Sequence, residues 1–458
     1  MNPDFTPFED RMRAEALPAL AINTFRHYYL QLVKGETGLI PENAIKPVDS
    51  LPDTGTFGPD LAEAGRQALS KAVLIKLNGG LGTGMGLDKA KSLLVVKNGL
   101  SFLDIIAQQA MRAGVPLVLM NSFSTRNDSL DALRKYPALF NGPLPLDFLQ
   151  HKALKINQAD FQPVTCPISP ELEWYPPGHG DLYTALLTSG ILDKLLDAGC
   201  EYAFVSNADN LGASLNTAIL GFFAVHGLPF MMECASRTDA DKKGGHLARS
   251  LADGRLLLRE SAQCPDTDLD DFQNIRKHRY FNTNNLWVNL LALKKLLTDK
   301  QGVLGLPMIR NSKTADPRNS GSTPVYQLET AMGSAISVFP NAGAVCVPRE
   351  RFAPVKSNSD LLAVRSDAYL LNEDYQVVIN PKRERGPLVV DLDNKVYKLI
   401  DHFEARFPQG APSLINCERL TVKGDVCFGA QVTVSGSVTI ENKDTVQKAI
   451  PDNTRLDG

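Results

Sequence analysis

This chain of 458 residues is poor in long apolar runs, in closely spaced cysteines and in any excess of charge. Its most apolar stretch, Ala218 to Met232, is interrupted by Gly221, His226, Gly227 and Pro229. That is too short to cross about 30 Å of hydrocarbon, so no membrane segment is expected. The seven cysteines (166, 200, 234, 264, 346, 417 and 427) are scattered and contain no C-x-x-C pair. A zinc site or redox pair is therefore not expected, and free thiols suit a reducing cytoplasm. Lys plus Arg number 48 and Asp plus Glu 51, a net charge of −3. No global field draws such a chain to nucleic acid or to an anionic membrane, so any phosphate binding has to be local. The first fifteen residues, MNPDFTPFEDRMRAE, are polar and acidic. They have neither the apolar core of a secretory signal nor the basic character of a transit peptide, and the expected location is cytoplasmic.

What is present is ordinary globular material: 43% hydrophobic and 22% charged residues, over a length that exceeds one typical domain. From Phe8 to about Lys34, apolar residues recur at three- and four-residue steps, which predicts an amphipathic helix. Prolines 41, 47, 52 and 59 then mark an extended connector. The centre alternates short apolar runs (72–77, 116–121, 202–207, 229–234 and 285–290) with helical patterns at 101–113 and 181–198. Buried strands alternating with helices predict an α/β sheet covered on both faces. After about Arg385 the texture changes to short alternating pieces. Apolar residues from Leu420 to Ile440 are punctuated by Gly424, Gly429 and Gly436, which predicts either a small β-helix or a hairpin sandwich.

The strongest chemical signal is KLNGGLGTGMGLDKAKS, residues 76–92, directly after a predicted strand. Glycines at 79, 80, 82, 84 and 86 let backbone N–H groups approach phosphate oxygens, and Lys89 and Lys91 add full charges. The spacing is neither G-x-x-x-x-G-K-[ST] nor a dinucleotide fingerprint, which weakens kinase and dehydrogenase readings. WYPPGHGD, 174–181, offers backbone access at Gly178 and Gly180 beside His179 and Asp181, or is simply a structural turn. FVSNADN, 204–210, ends a strand in amides and a carboxylate. Asp209 is either a hard ligand for Mg²⁺ or part of a helix cap. NTNN, 282–285, is expected just before a strand, where it either offers amides suited to sugar hydroxyls or is simply a turn.

These motifs, together with PLVLMNSF (116–123), FNTNNLWV (281–288), QLETAMG (327–333) and PVKSNSDLL (354–362), resemble the UTP:glucose-1-phosphate uridylyltransferase family, and they occur in its order. The resemblance implies a Rossmann-like nucleotidyltransferase domain with helices on both faces of a mixed sheet at 66–385. It also implies a helical segment and linker at 1–65 and a left-handed β-helix-like domain at 386–458. The implied nucleotide contacts are Leu77, Asn78, Gly79, Gly80, Gln150, Gly178 and Asn207, and the implied sugar-phosphate contacts are His179, Asn285 and Glu329. Lys91 and Lys356 are the implied catalytic lysines, Asp209 the Mg²⁺ ligand, and UTP and glucose 1-phosphate the substrates. A homo-oligomer formed through the C-terminal domain is a further expectation.

The 88–92 segment departs from the family pattern. Where relatives commonly read KGPKS this chain reads DKAKS, so Asp88 puts a carboxylate near the expected triphosphate and Ala90 replaces a proline. Two rival readings follow: a uridylyltransferase for another sugar 1-phosphate, or a nucleotide-sugar-binding regulator without turnover.

Overall fold

The computed structural model describes residues 4–386 and 388–458, so Met1 to Pro3 of the polar leader, and Pro387 at the start of the expected C-terminal domain, lie outside the described residues. The predicted N-terminal helix is in fact two, Thr6–Ala14 and Ala19–Val33. Pro18 disfavours helical backbone at Leu17, and Ala16 turns the chain at φ 55°. Phe8, Met12, Phe25 and Tyr29 from the pair pack with Ala153, Leu154, Ile156, Tyr175 and Leu328.

The central sheet has ten strands: β1 Ile45–Pro47, β2 Ala72–Asn78, β3 Leu117–Asn121, β4 Asp147–Leu149, β5 Tyr202–Asn207, β6 Phe230–Ser236, β7 His246–Ser250, β8 Leu256–Arg259, β9 Tyr280–Asn289 and β10 Gly343–Cys346. Their order is β1-β7-β9-β5-β2-β3-β4, with β6 paired to β9 and β10, and β8 paired to β7. The β5-β2-β3-β4 half is parallel, while β9 runs antiparallel to β5 and β6, which makes the sheet mixed. Side chains of β2 alternate between two cores. Val73 and Ile75 join helix residues Leu182 to Leu195 and Leu290 to Leu297, whereas Ala72 and Leu74 join Leu103 to Ala110 and Ile219 to Phe223. Helices therefore cover both faces, as the near-continuous apolar strands predict.

Two local expectations need correction. The helical pattern at 181–198 breaks into Leu182–Thr188 and Ile191–Asp197 because Gly190 adopts φ 72°. NTNN is not a turn before the strand; it lies inside β9, where the register against β6 shifts between Glu233 and Cys234 and Asn284 takes φ 59°. The bulge explains the amide-rich sequence, since Asn tolerates the left-handed region.

In the C-terminal part, Val389–Leu392, Ser413–Lys423, Thr433–Glu441 and Arg455–Asp457 pair in that order, each parallel to the next. Val426–Phe428 pairs parallel with Lys448–Ile450 on a second sheet. Parallel pairing of successive strands excludes the hairpin sandwich, because hairpins join antiparallel strands. Met85, from the glycine-rich loop, is buried with Phe403, Phe407 and Phe428 of this part.

Candidate active site

Register brings the site together at one edge of the sheet. Parallel pairing sets Leu77 beside Asn207, Asn78 beside Asn121, and Asn121 beside Leu149, so β2, β3, β4 and β5 end at the same level. The carboxyl ends of parallel strands are where open α/β sheets hold ligands. Buried amides lock these ends. Asn78 Nδ2 donates to Asn121 Oδ1 at 2.7 Å and to Ser129 Oγ at 2.8 Å, and Gln150 N donates to Asn121 O at 2.9 Å.

Beyond β2 the chain passes Gly79 and Gly80 and returns at Lys91, whose N–H donates to Gly80 O at 3.1 Å. A Cβ on Gly79 would stand 2.8 Å from the Gln150 side-chain amide, so only glycine lets that amide lie over the loop. On the opposite wall, Gly178 has φ 82°, and a Cβ there would meet Thr330 O at 2.5 Å. This close docking on strand Pro324–Thr330 fixes the 176–181 loop, which is also held by Thr330 N donating to Pro177 O.

An open cleft of about 300 Å³ results, lined by Leu77, Asn78, Gly79, Gly80, Lys91, Gln150, Gly178, His179, Asn207 and Asp209, ten of the residues expected from sequence. Ser92, Pro176 and Ala208 also line it. They were not singled out because each carries its role by position, next to a motif residue, and not by distinctive chemistry. A second cavity of about 40 Å³ lies behind the 176–181 loop, between the N-terminal helices and the His151–Asp181 pair. It has room for a few waters, not a nucleotide.

Three expected residues lie outside the cleft lining. Asn285 is fully buried and spends its amide on Glu233 Oε2 (3.0 Å), Arg351 O (3.2 Å) and Asn210 (3.1 Å). Glu329 is half-buried behind Gly178, and burial raises its carboxyl pKa. Lys356 is exposed, one residue beyond Val355, whose N–H donates to Asp209 O at 3.1 Å.

The charges at the mouth are complementary. Lys91 Nζ donates to Asp209 Oδ2 at 2.7 Å, with 16% and 27% of the two side chains exposed. His179 accepts the Met332 N–H at Nδ1 (2.9 Å), which places its own proton on Nε2. Burial pushes the imidazole pKa down to about 4, so near pH 7 it is a neutral donor. Asp88 and Lys89 are both exposed, and neither lines the cleft, so the departure at Asp88 does not bring a carboxylate into it.

Among the described residues, no group of three or more His, Cys, Asp and Glu is placed to hold a metal ion. One carboxylate beside a lysine nevertheless fits Mg²⁺, which usually takes one or two protein carboxylates and draws its other ligands from phosphates and water. No helix is long and apolar enough to cross a membrane among the described residues.

Residues 22–435 match the sequence model of the family described as UTP--glucose-1-phosphate uridylyltransferase. The protein of that name from Solanum tuberosum is 41% identical over 420 residues, spanning 90% of this chain and 84% of the relative. A probable UTP--glucose-1-phosphate uridylyltransferase from Schizosaccharomyces pombe is 40% identical over 407 residues, 87% and 79% of the two chains. Among solved structures, a point mutant of the Leishmania major UDP-glucose pyrophosphorylase in complex with UDP-glucose superposes with a TM-score of 0.92 at 44% identity, covering 100% of this chain and 98% of that one. The UDP-glucose phosphorylase of Trypanosoma brucei superposes with a TM-score of 0.88 at 49% identity, covering 99% and 98%. With its motifs gathered at one sheet edge and its likeness running through nearly its whole length, the chain belongs to the UTP--glucose-1-phosphate uridylyltransferase family.

Proposed function

We propose that this cleft joins UTP and glucose 1-phosphate by direct in-line displacement at the α-phosphorus, releasing pyrophosphate and forming UDP-glucose. The observation that carries the reading is the convergence of the glycine turn at 79–80, Gln150, Gly178, His179 and the Lys91–Asp209 pair around one cleft. A phosphate monoester is already largely dianionic at neutral pH, its second pKa being about 6, so no general base is required. The work left to the protein is to hold two anions in line and offset their repulsion.

In this reading Lys91 and Lys356 neutralise the charge developing on the phosphates, and main-chain amides of the glycine loop contribute fixed dipoles. Gln150 lies over Gly79 and offers an amide to a base edge. The Nε2–H of His179 donates to the sugar phosphate without itself changing charge. Asp209 would hold Mg²⁺, which when bound would supply further neutralisation of the phosphates. Glu329 remains assigned to the sugar side, acting from behind the cleft wall, whereas Asn285, buried with its amide committed to Glu233, Arg351 and Asn210, supports that wall without reaching the sugar. The accompanying reading is a cytoplasmic enzyme in three parts, 1–65, 66–385 and 386–458. Its C-terminal part is a short left-handed β-helix, supported by the two stacks of parallel strands, and the open strand edge there suits self-association.

The test is pyrophosphate release from UTP with Mg²⁺ and each of glucose, galactose and N-acetylglucosamine 1-phosphates. Glucose 1-phosphate is expected to be the preferred acceptor, and Lys91→Ala to lower kcat/KM by at least about 100-fold with the fold intact. A Lys91→Ala enzyme of near-normal rate would overturn the assignment.

A further inference from the structure

We propose that Asn210 is a positioning residue that sets the separation between the Asp209 carboxylate and Lys356, acting through the buried Glu233–Arg351 pair. This rests on the proposed roles of Asp209 and Lys356. Asn210 is 5% exposed, and its carboxamide is saturated. Nδ2 donates to Asn285 Oδ1 and to Arg351 O, both at 3.1 Å, while Oδ1 accepts from Gly212 N at 3.1 Å and Ala353 N at 2.9 Å. One side chain thus clamps the turn that carries Asp209 to residues 351–353, which lead into Lys356.

Two main-chain bonds run alongside the clamp: Leu211 N donates to Ala353 O at 3.3 Å, and Val355 N to Asp209 O at 3.1 Å. The clamp has a rigid base. Glu233 is fully buried and accepts four bonds, from Arg351 Nε (2.7 Å) and Nη2 (2.8 Å), Trp287 Nε1 (2.9 Å) and Asn285 Nδ2 (3.0 Å). Arg351 Nη2 also donates to Ser214 O at 2.9 Å. With every acceptor of Glu233 and every group of Asn210 committed, the assembly has one low-energy arrangement. Asn285, expected at the sugar, is a strut of this assembly.

Lys356 therefore reaches the site through a tether and not by lining the cleft. A carboxylate at 210 keeps the shape but loses both donors, and faces Arg351 O and Asn285 Oδ1 with like partial charge. The test is a double-mutant cycle on the full chain with UTP, Mg²⁺ and glucose 1-phosphate. Asn210→Asp alone is expected to lower kcat 10- to 100-fold with KM for UTP changed less than threefold. In a Lys356→Ala background the same change is expected to cost less than threefold, because the group it positions is gone. Asn210→Gln, which keeps the amide but shifts it by a methylene, is expected to restore only part of the rate. Multiplicative effects of the two substitutions, or a rise in KM with kcat unchanged, would overturn the proposal. A wild-type chain without uridylyl transfer would instead overturn the function on which it rests.

Discussion

Two buried charged clusters in this protein are built to opposite standards. The first, Glu233, Arg351, Asn285 and Trp287, lies beneath the catalytic edge of the sheet, and none of its side-chain N or O atoms is left buried without a partner among the described residues. The second lies at the other end of the sheet, around β1, β7 and β8. There Glu42 accepts from Arg259 (2.6 Å), Lys277 (2.8 Å) and His278 (2.9 Å), and Asp268 accepts from Arg259 at 3.1 Å. The rings of His246 and His278 stack 3.8 Å apart. Yet His246 Nε2, His278 Nδ1, Arg237 Nε and Arg259 Nε have no hydrogen-bond partner among the described residues. A buried unpaired polar atom costs about 1–3 kcal/mol. The contrast is between these two clusters and not between the whole site and the rest, since Ser92 Oγ in the cleft lining is also unpaired among the described residues: the cluster that braces the turn carrying Asp209 is the satisfied one, while the remote cluster carries unpaired atoms at a cost in stability.

The sharpest way to break the contrast is Glu233→Gln. The substitution keeps volume but turns an NH₂ toward donors and leaves the Arg351 guanidinium, with its side chain 10% exposed, without a counter-charge. A loss of about 3–5 kcal/mol in unfolding free energy is expected, measured by urea denaturation of the purified chain. A loss below about 1 kcal/mol would mean that water or the remaining amides take over, and the first cluster would lose its claim to rigidity.

Lys76 sharpens the same cluster from the other side. It is 1% exposed, donates to Ser206 Oγ and Ala213 O at 2.7 Å each, and lies 5.7 Å from the Phe204 ring. Burial, with Arg351 adding repulsion against the attraction of Glu233, lowers its pKa from 10.5 to about 7. Between those two values the unfolded chain holds the proton and the folded chain does not, so this group makes stability rise with pH from about 7 toward 10.5. Removing the amine with Lys76→Met should erase on the order of 2 kcal/mol of that rise between pH 7 and 9. Parallel stability curves for the two proteins over that interval would show that Lys76 titrates normally.

Much of this was readable in the sequence, and the two clusters show where reading stopped. The strands at 72–78, 117–121 and 202–207 announce themselves by continuous apolar runs, and the cleft residues follow because a parallel sheet brings strand ends to one level. The glycine turn and the PPGHGD loop signal close backbone approach in the sequence itself, but what approaches Gly79 and Gly178, the Gln150 amide and Thr330, is supplied only by the fold. Asn210, Glu233 and Arg351 are 141 residues apart at the extremes, and a lone Glu inside PFMMEC reads as an interruption until the fold supplies its partner. The misplaced turn at NTNN has the same origin. Its amides signal irregular backbone, but a bulge in mid-strand and a turn at a strand end use the same residues. Lys356 was found only through the family motif, since one exposed lysine resembles any other.

The second cluster predicts the smallest effect, and its sign is fixed. Burial lowers the pKa of both His246 and His278 from 6.5, with neighbouring positive charge from Arg237, Arg259 and Lys277 acting in the same direction and Glu42 opposing it at His278. As pH falls below 6.5 the folded chain therefore takes up these protons later than the unfolded chain does. Their contribution to stability is complete above pH 6.5 and is lost as pH falls toward the folded-state values. Asp268 and Cys264 also face Arg259, so the measurement has to be a difference between variants and not a single curve. His246→Phe keeps a ring against Phe272, 5.0 Å away, and removes both the titration and the unpaired Nε2. The fall in Tm between pH 6.5 and 5 should be shallower in the variant, with Tm at pH 7.5 equal or slightly higher. An identical acid slope would place the proton elsewhere, and a lower Tm at pH 7.5 would mean that Nε2 has a partner after all, removing the difference between the two clusters.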